Sequence, residues 1–368
     1  MKILFLYSLK EDLSIAAYSR HIMMKKTFSE IGEITSLNLY QEESSFLKKI
    51  KLFVFAKKRV KYALKTVDFD SFDVVFLSTI SYTGMRYVKR LCLKKKIKLV
   101  IDCVEWASPE EKKFGKLSFS YIHNTRINEH LIDKHVSVIS ISTYLANYFK
   151  SKGIKTEVVP NLVDTNEIKY VSKEKDSKIK LLFAGYPQKK DAINVAIEAL
   201  LMLDQKEREL IHLTVAGITE KDFFEKYNYL EKFKSNILSF SSFKGKVSSK
   251  EVEKLYNESD FSLLVRNDKL RVCKAGFPTK LLDSFKYSTP IIANLSSDIG
   301  NYLKDGYNGY VVKEFSKEEC CSTFKNIISL FINNSLDIRT LGHNAFESCI
   351  KNFNYLDYID RIRTLIID

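Results

Sequence analysis

The six cysteines of this chain (Cys92, Cys103, Cys273, Cys320, Cys321 and Cys349) include no C-x-x-C pair, and several sit inside apolar patterns. That spacing argues against a disulfide framework or a thiolate metal site and for buried free thiols in a reducing compartment. No apolar run approaches the length that spans a bilayer. The N-terminal apolar stretch meets Glu11 and Asp12 before a signal-peptide core could form. A cytoplasmic protein is expected, either soluble or peripheral on the inner face of the membrane. There is no Walker loop, no G-x-S-x-G elbow, no convincing G-x-G-x-x-G, no low-complexity segment, and no internal repeat beyond two similar halves. His123, His130 and His135 follow one another at intervals of seven and five residues, which is no compact ligand pattern. Asp68-Phe69-Asp70 is a D-x-D, but it precedes a strand pattern instead of ending one. No metal and no other cofactor is expected.

What is present fits a large globular protein. At 368 residues with 45% hydrophobic content, there is material for two cores, and two domains are expected. The net charge is +14, from 59 basic and 45 acidic residues, and favours anionic partners such as phosphate-bearing ligands, acidic lipids or nucleic acid. The excess is concentrated early: residues 1–168 hold 28 basic and 18 acidic residues, a net of +10. Residues 46–67 contain eight basic residues and no acid, with Leu47, Ile50, Phe53, Val54, Val60 and Leu64 able to share one helix side. This segment is either a basic amphipathic helix suited to an anionic membrane surface or a packed helix with a solvated basic face. A second basic cluster spans 86–98. No nucleic-acid module or aromatic platform accompanies the charge, so no specific nucleic-acid partner is expected.

Buried-strand patterns recur at 2–7, 34–39, 73–78, 97–102, 136–142, 155–159, 179–185, 212–217 and 260–265, with helical patterns between them. This alternation predicts an α/β fold of doubly wound parallel sheets that bind ligands at strand C-terminal ends. The most informative stretch is 275–312, AGFPTKLLDSFKYSTPIIANLSSDIGNYLKDGYNGYVV. Gly276 permits a close main-chain approach. Pro278 suits the first position of a helix, which leaves the amides of Thr279, Lys280 and Leu281 as an anion site. Leu281, Leu282 and Phe285 form the buried face of that helix. Asp283, about one turn in, can reach back toward the same loop. A carboxylate beside a phosphate-binding helix start suits a ribose next to a diphosphate, and therefore a nucleotide sugar.

This stretch resembles the donor-binding motif of retaining glycosyltransferases of the GT-B fold, family 4 (group 1), written E-G-F-G-x-x-x-x-E with P-V-I-A and D-G-x-N-G following. The F-P-T-K and A-N-L-x-S-D variant is similar to transferases of bacterial capsular and surface polysaccharide synthesis. The first motif acid falls on Ala275 and the second on Asp283. The resemblance implies two Rossmann-like domains facing each other across a cleft. On this reading an acceptor-binding domain spans 1–165, a nucleotide-sugar domain spans 166–350, and a helix at 351–368 returns to the first. The hinge resembles Pro160-Asn161-Leu162-Val163-Asp164. The family's G-R-x-x-x-x-K-G supplies an arginine and a lysine to the donor diphosphate; here Gly185 is followed by Tyr186 at the arginine, with Lys190, or Lys189, matched to the lysine. Arg266 is the first candidate to replace the lost cation, and Lys280 the second. Gly217 runs near the nucleotide, Gly245 to Val247 frame the base, and Phe277 completes the donor loop. Glu105, where relatives often carry a histidine, faces the sugar or acceptor with Trp106 stacking beside it. Ser14 and Arg20 lie on the acceptor side, in a first loop without glycine.

The implied activity is metal-independent, retaining transfer of a sugar from a UDP- or GDP-sugar to a saccharide or lipid-linked acceptor, with Glu105, Lys190 and Asp283 at the reacting centre. Ala275, Tyr186 and the glycine-free first loop keep a non-catalytic nucleotide-sugar-binding subunit open as an alternative.

Overall fold

The computed structural model describes residues 1–12, 16–42, 55–174 and 176–367. They form two compact units. The first comprises Met1–Asp164, Lys274–Phe277 and Phe353–Asp368, and the second Thr165–Cys273 and Pro278–Asn352.

The first unit is built on a parallel sheet of β1 (Lys2–Tyr7), β2 (Glu33–Asn38), β3 (Val74–Ser78), β4 (Lys98–Cys103), β5 (Ser137–Ser140) and β6 (Thr156–Val158), in the order β2-β1-β3-β4-β5-β6. Strand β3 is buried at every residue, and β1 at every residue but its first. Continuous apolar runs of this kind belong to strands covered by helices on both faces. Phe5, Phe28 and Phe76 meet at the centre, where Phe5 stacks on Phe76 at 4.4 Å. Tyr355, Tyr358, Ile362 and Leu365 of the C-terminal segment close that core. The segment is pinned to the chain just past β6 by reciprocal backbone bonds between Val163 and Phe353 and Tyr355.

The second unit holds β7 (Ile179–Ala184), β8 (Ile211–Ala216), β9 (Ser241–Gly245), β10 (Phe261–Leu264), β11 (Ile291–Asn294) and β12 (Gly309–Val312), ordered β12-β11-β10-β7-β8-β9 and again all parallel. In both sheets the chain winds outward from its first strand, then continues on that strand's other side. The reversal opens a crevice between β1 and β3, and another between β7 and β10, at the strand C-terminal ends.

The predicted doubly wound α/β class is the observed one. All six cysteines are free and buried, and burial pushes Cys92 and Cys349 up to about 12, which leaves them as unreactive thiols. Of the basic segment 46–67, the part up to residue 54 lies outside the described residues, as does Ser14. Within the rest, the helix Ala56–Ala63 buries Ala56 and Val60 and exposes its lysines. Among the described residues no helix is long and apolar enough to cross a membrane.

Candidate functional site

Three glycines shape the floor of the second unit's crevice. Gly185, Gly217 and Gly245 follow or end β7, β8 and β9 and take left-handed φ angles of 121°, 115° and 64°. They are laced together by backbone bonds, Gly185 N–H to Ala216 O (2.8 Å) and Gly217 N–H to Gly245 O (2.7 Å). A Cβ on Gly217 would lie 2.4 Å from the Gly185 carbonyl carbon, so the two loops touch main chain to main chain. Val247, half-buried beyond Gly245, packs on Leu182, Ala216 and Leu255.

Over this floor stands a charged trio. Asp191 takes Lys280 Nζ on Oδ2 at 2.5 Å and Arg266 Nε near Oδ1 at 3.3 Å. Burial alone would raise the Asp191 carboxyl, but Lys280 and Arg266 outweigh it and hold it below its usual value. One carboxylate against two cations leaves a net positive charge at the loop. The two bases differ in access. Arg266 is 3% exposed, reaches back to Cys273 O, and has its backbone clamped by Asn294. Lys280 lies over the Phe183 ring, and a Cβ on Gly185 would sit 3.4 Å from its Nζ. Lys280, not Arg266, is therefore the cation presented at the Gly185 loop; Arg266 supports Asp191 from behind.

The match of Lys190 to the family lysine is revised by the same geometry. The pattern sets its lysine six residues past the glycine, and six past Gly185 is Asp191. Acid and base have exchanged places, with Lys280 returning the charge from the helix Thr279–Lys286. Lys190 is half-buried and its carbonyl is engaged by Asn267 N–H and the Cys273 thiol, while Lys189 is exposed. Tyr186, at the arginine position, is exposed and carries Lys226 Nζ 4.6 Å above its ring; that nitrogen also donates to Pro187 O. Lys226 belongs to the next βα unit, and no local pattern in the sequence joins it to this loop.

The helix start differs by one residue from the prediction. Pro278 is the N-cap, with extended ψ of 106°, and the helix begins at Thr279. Leu281 N–H turns back to Pro278 O at 3.1 Å and is not a free donor, so Thr279 and Lys280 supply the open amides. Asp283 is half-buried, and no described side chain bonds or pairs with its carboxylate. Burial pushes it up to about 6, against the pull of Lys286 and Lys280. At neutral pH it is mainly ionised and unsatisfied, an acceptor waiting for hydroxyl donors. Gly276 and Phe277 group with the first unit; there Phe277 is buried edge-on to Phe353, and Ser142 Oγ donates to the neighbouring Ala275 O at 2.6 Å.

The first unit has its own pocket, of about 680 Å³, at the β1/β3 crevice. Ser8, Thr79, Asp102 and Glu105 come to it from the ends of β1, β3 and β4, while Arg59 and His123 come from flanking helices. Glu105 is exposed here, its carbonyl held by the Asn124 and Asn128 amides. His123 Nε2 accepts Tyr82 N–H at 2.8 Å, and burial lowers the ring to about 4, so it is neutral at pH 7. Two acceptor-side expectations give way. Arg20 is 5% exposed and spends its guanidinium on Asp102 (2.7 Å) and on the carbonyls of Val159 and Pro160; it fastens the sheet. Trp106 is 4% exposed and meets Tyr148 edge-on at 4.5 Å, which leaves no ring face for a sugar. Among the described residues no group of three or more His, Cys, Asp or Glu could hold a metal ion.

Residues 164–339 match the family model Glycosyl transferases group 1. An uncharacterized glycosyltransferase of Methanocaldococcus jannaschii, MJ1069, is 26% identical over 311 residues, covering 81% of this chain and 74% of the relative. Anabaena Alr3699/HepE in complex with UDP and glucose superposes with a TM-score of 0.66 at 16% identity, over 99% of this chain and 98% of that one. Sucrose-phosphate synthase of Thermosynechococcus elongatus gives 0.71 at 12% identity over 99% and 98%. The apo lipopolysaccharide outer core galactosyltransferase WaaB gives 0.67 at 16% over 100% and 99%. The chain thus has the two-sheet GT-B architecture of these structures, and its residues 164–339 are similar to glycosyl transferases group 1.

Proposed function

We propose that this protein is a retaining, metal-independent glycosyltransferase that takes a sugar from a UDP- or GDP-sugar and delivers it to a saccharide acceptor in surface polysaccharide synthesis. The observation that carries the reading is the pairing, in one crevice, of an accessible cation over a glycine floor with an unsatisfied carboxylate. Lys280 Nζ stands beside Gly185, and Asp283 has no described partner. Lys280, the open amides of Thr279 and Lys280, and Lys226 beside Tyr186 neutralise the diphosphate as it departs with negative charge. Asp283 accepts the ribose hydroxyls, and the backbone around Gly245 and Val247 frames the base. Structural relatives include one that binds UDP and glucose, which supports a uridine donor. The leaving diphosphate itself takes the acceptor proton, so no separate base is required. Glu105, exposed in the first-unit pocket, holds acceptor or sugar hydroxyls.

The acceptor is lipid-linked in this reading. Phe114 (70% exposed), Leu117 (84%), Phe119 and Ile122 form an apolar surface stretch set among Lys112, Lys113 and Lys116. Ser120, His123 and Asn124 of the same stretch line the first-unit pocket. Apolar side chains among lysines suit the interface of an anionic membrane. Incubation with radiolabelled UDP- and GDP-sugars and a lipid extract tests the activity. Label transferred to lipid or released as free sugar, and abolished by Asp283→Ala, is expected. Intact donor in every case would leave only a silent nucleotide-sugar binder.

A further inference from the structure

The first-unit pocket contains a cation that the donor chemistry does not use. The helix Ala56–Ala63 is drawn onto the helix Tyr82–Lys95 at Gly84, where an added Cβ would meet Val60 Cγ2 at 3.2 Å and Ala56 Cβ at 3.7 Å. That close approach buries Val60 and sets its neighbour Arg59 in the pocket wall. Arg59 Nη2 is buried and has no hydrogen-bond partner.

The nearby carboxylates of the same wall are differently engaged. Asp102 is locked to Arg20, and Glu42 lies against Lys10 at 3.6 Å. Arg59 forms no ion pair with any described residue. Burial lowers its pKa, and no neighbouring acid acts against that shift. An unpaired, partly desolvated guanidinium is costly to keep in a fold, and the cost is recovered when an oxyanion pairs with it in fork geometry. The rest of the wall supplies partners for hydroxyls: the exposed Glu105 carboxylate, and the neutral Ser8, Ser81, Asn124 and uncharged His123.

We propose that this pocket takes an acceptor bearing an oxyanion beside its sugar hydroxyls, a phosphate or a carboxylate, and that Arg59 selects it. The inference rests on the glycosyltransferase reading for the word acceptor, but the anion site stands on the pocket alone. A phosphate would come from a phosphate-linked lipid carrier and a carboxylate from an acidic sugar. A pocket with an uncompensated charge discriminates strongly against ligands that lack the counter-charge.

The test titrates inorganic diphosphate, methyl glucuronide and neutral methyl glucoside into the full chain by calorimetry, for wild type, Arg59→Gln, Arg59→Lys and Lys280→Ala. Removing one charge-assisted bidentate contact should weaken an anion about tenfold or more. Arg59→Gln is expected to lose the anion that Lys280→Ala still binds, with methyl glucoside unchanged and Arg59→Lys in between. Loss of diphosphate identifies a phosphate-bearing acceptor, and loss of glucuronide an acidic sugar. Equal binding of both anions by wild type and Arg59→Gln, or no saturable binding of either by wild type, overturns the proposal. Thermal unfolding of Arg59→Lys checks that the pocket is intact. A failure of the donor reading has a different signature, namely UDP-sugar binding unchanged by Lys280→Ala.

Discussion

Lys280 Nζ lies 2.5 Å from Asp191 Oδ2, and the same nitrogen is the nearest cation above Gly185. The acid therefore aims the base: Asp191 stands where the resembling pattern keeps its lysine, and Lys280 reaches over it. Lys280→Ala should weaken nucleotide-sugar binding by about 1.5–3 kcal/mol, the usual worth of a hydrogen bond to a charged group, with little change in stability. Asp191→Asn should be worse for the fold, because Arg266 then remains buried without its counter-charge, at a cost of about 3–5 kcal/mol. Calorimetric titration and thermal unfolding of the two variants separate these effects.

Asp283 should show a trade between stability and binding. Its folded pKa, about 6, lies above the usual carboxylate value because of burial. The folded protein holds the proton more tightly, so the penalty is absent well below pH 4, grows as pH rises to about 6, and is constant above. Asp283→Asn should therefore raise Tm at pH 8, by about 1–3 kcal/mol of stability, and lose that advantage near pH 4. The same variant should bind donor more weakly at pH 8. Melting curves across pH check the sign.

The glycine floor can be tested by contrast. Gly217 and Gly153 both have positive φ, but an added Cβ strikes the Gly185 backbone at 2.4 Å in the first case and meets nothing within 4 Å in the second. Gly153→Ala should cost about 1 kcal/mol from backbone strain alone. Gly217→Ala should cost about 3 kcal/mol or more and abolish donor binding, since the loops must part. Denaturant midpoints give the comparison.

Arg20→Ala should behave as a fold mutation and not as an acceptor mutation. Removing one side of its buried pair with Asp102 should cost about 3–5 kcal/mol. In the fraction that remains folded, KM for acceptor should be unchanged.

Membrane association has a simple readout. Wild type should pellet with vesicles rich in anionic lipid and not with zwitterionic ones, and Phe114→Ser with Leu117→Ser should reduce pelleting even at low salt. If wild type shows no preference for anionic vesicles, the membrane part of the proposal fails.

The architecture was readable from strand patterns such as KILFLY and IKLLFA, because strands covered on both faces leave unbroken apolar runs. Strand β9, SSFKG, carries no such run: it has two serines and a lysine around a single large apolar residue, is only partly buried, and ends in a glycine loop. The donor helix was legible from Pro278 and Asp283, which act locally. What could not be read were choices made by tertiary contact. Arg266 and Lys280 are both bases near one loop in sequence, and only packing shows that the first is sealed behind Asp191. Trp106, in the loop after β4, and Arg20, on the first helix, sit at positions that could equally face ligand or core; Tyr148 and Asp102, distant in sequence, decide for the core. Arg59 is one base among eight in a run, and only its neighbour's burial against Gly84 sets it in a wall.

In the proposed transfer, Lys280 and Asp283 together grip the nucleotide end of an activated sugar. Calorimetric titration of a UDP- and GDP-sugar panel into the full chain reads that grip. Saturable binding of one donor by wild type, weakened about tenfold or more in both Lys280→Ala and Asp283→Ala while Lys189→Ala binds normally, is the predicted result. Equal affinity in wild type and both variants, or binding of no nucleotide sugar by wild type, would contradict it.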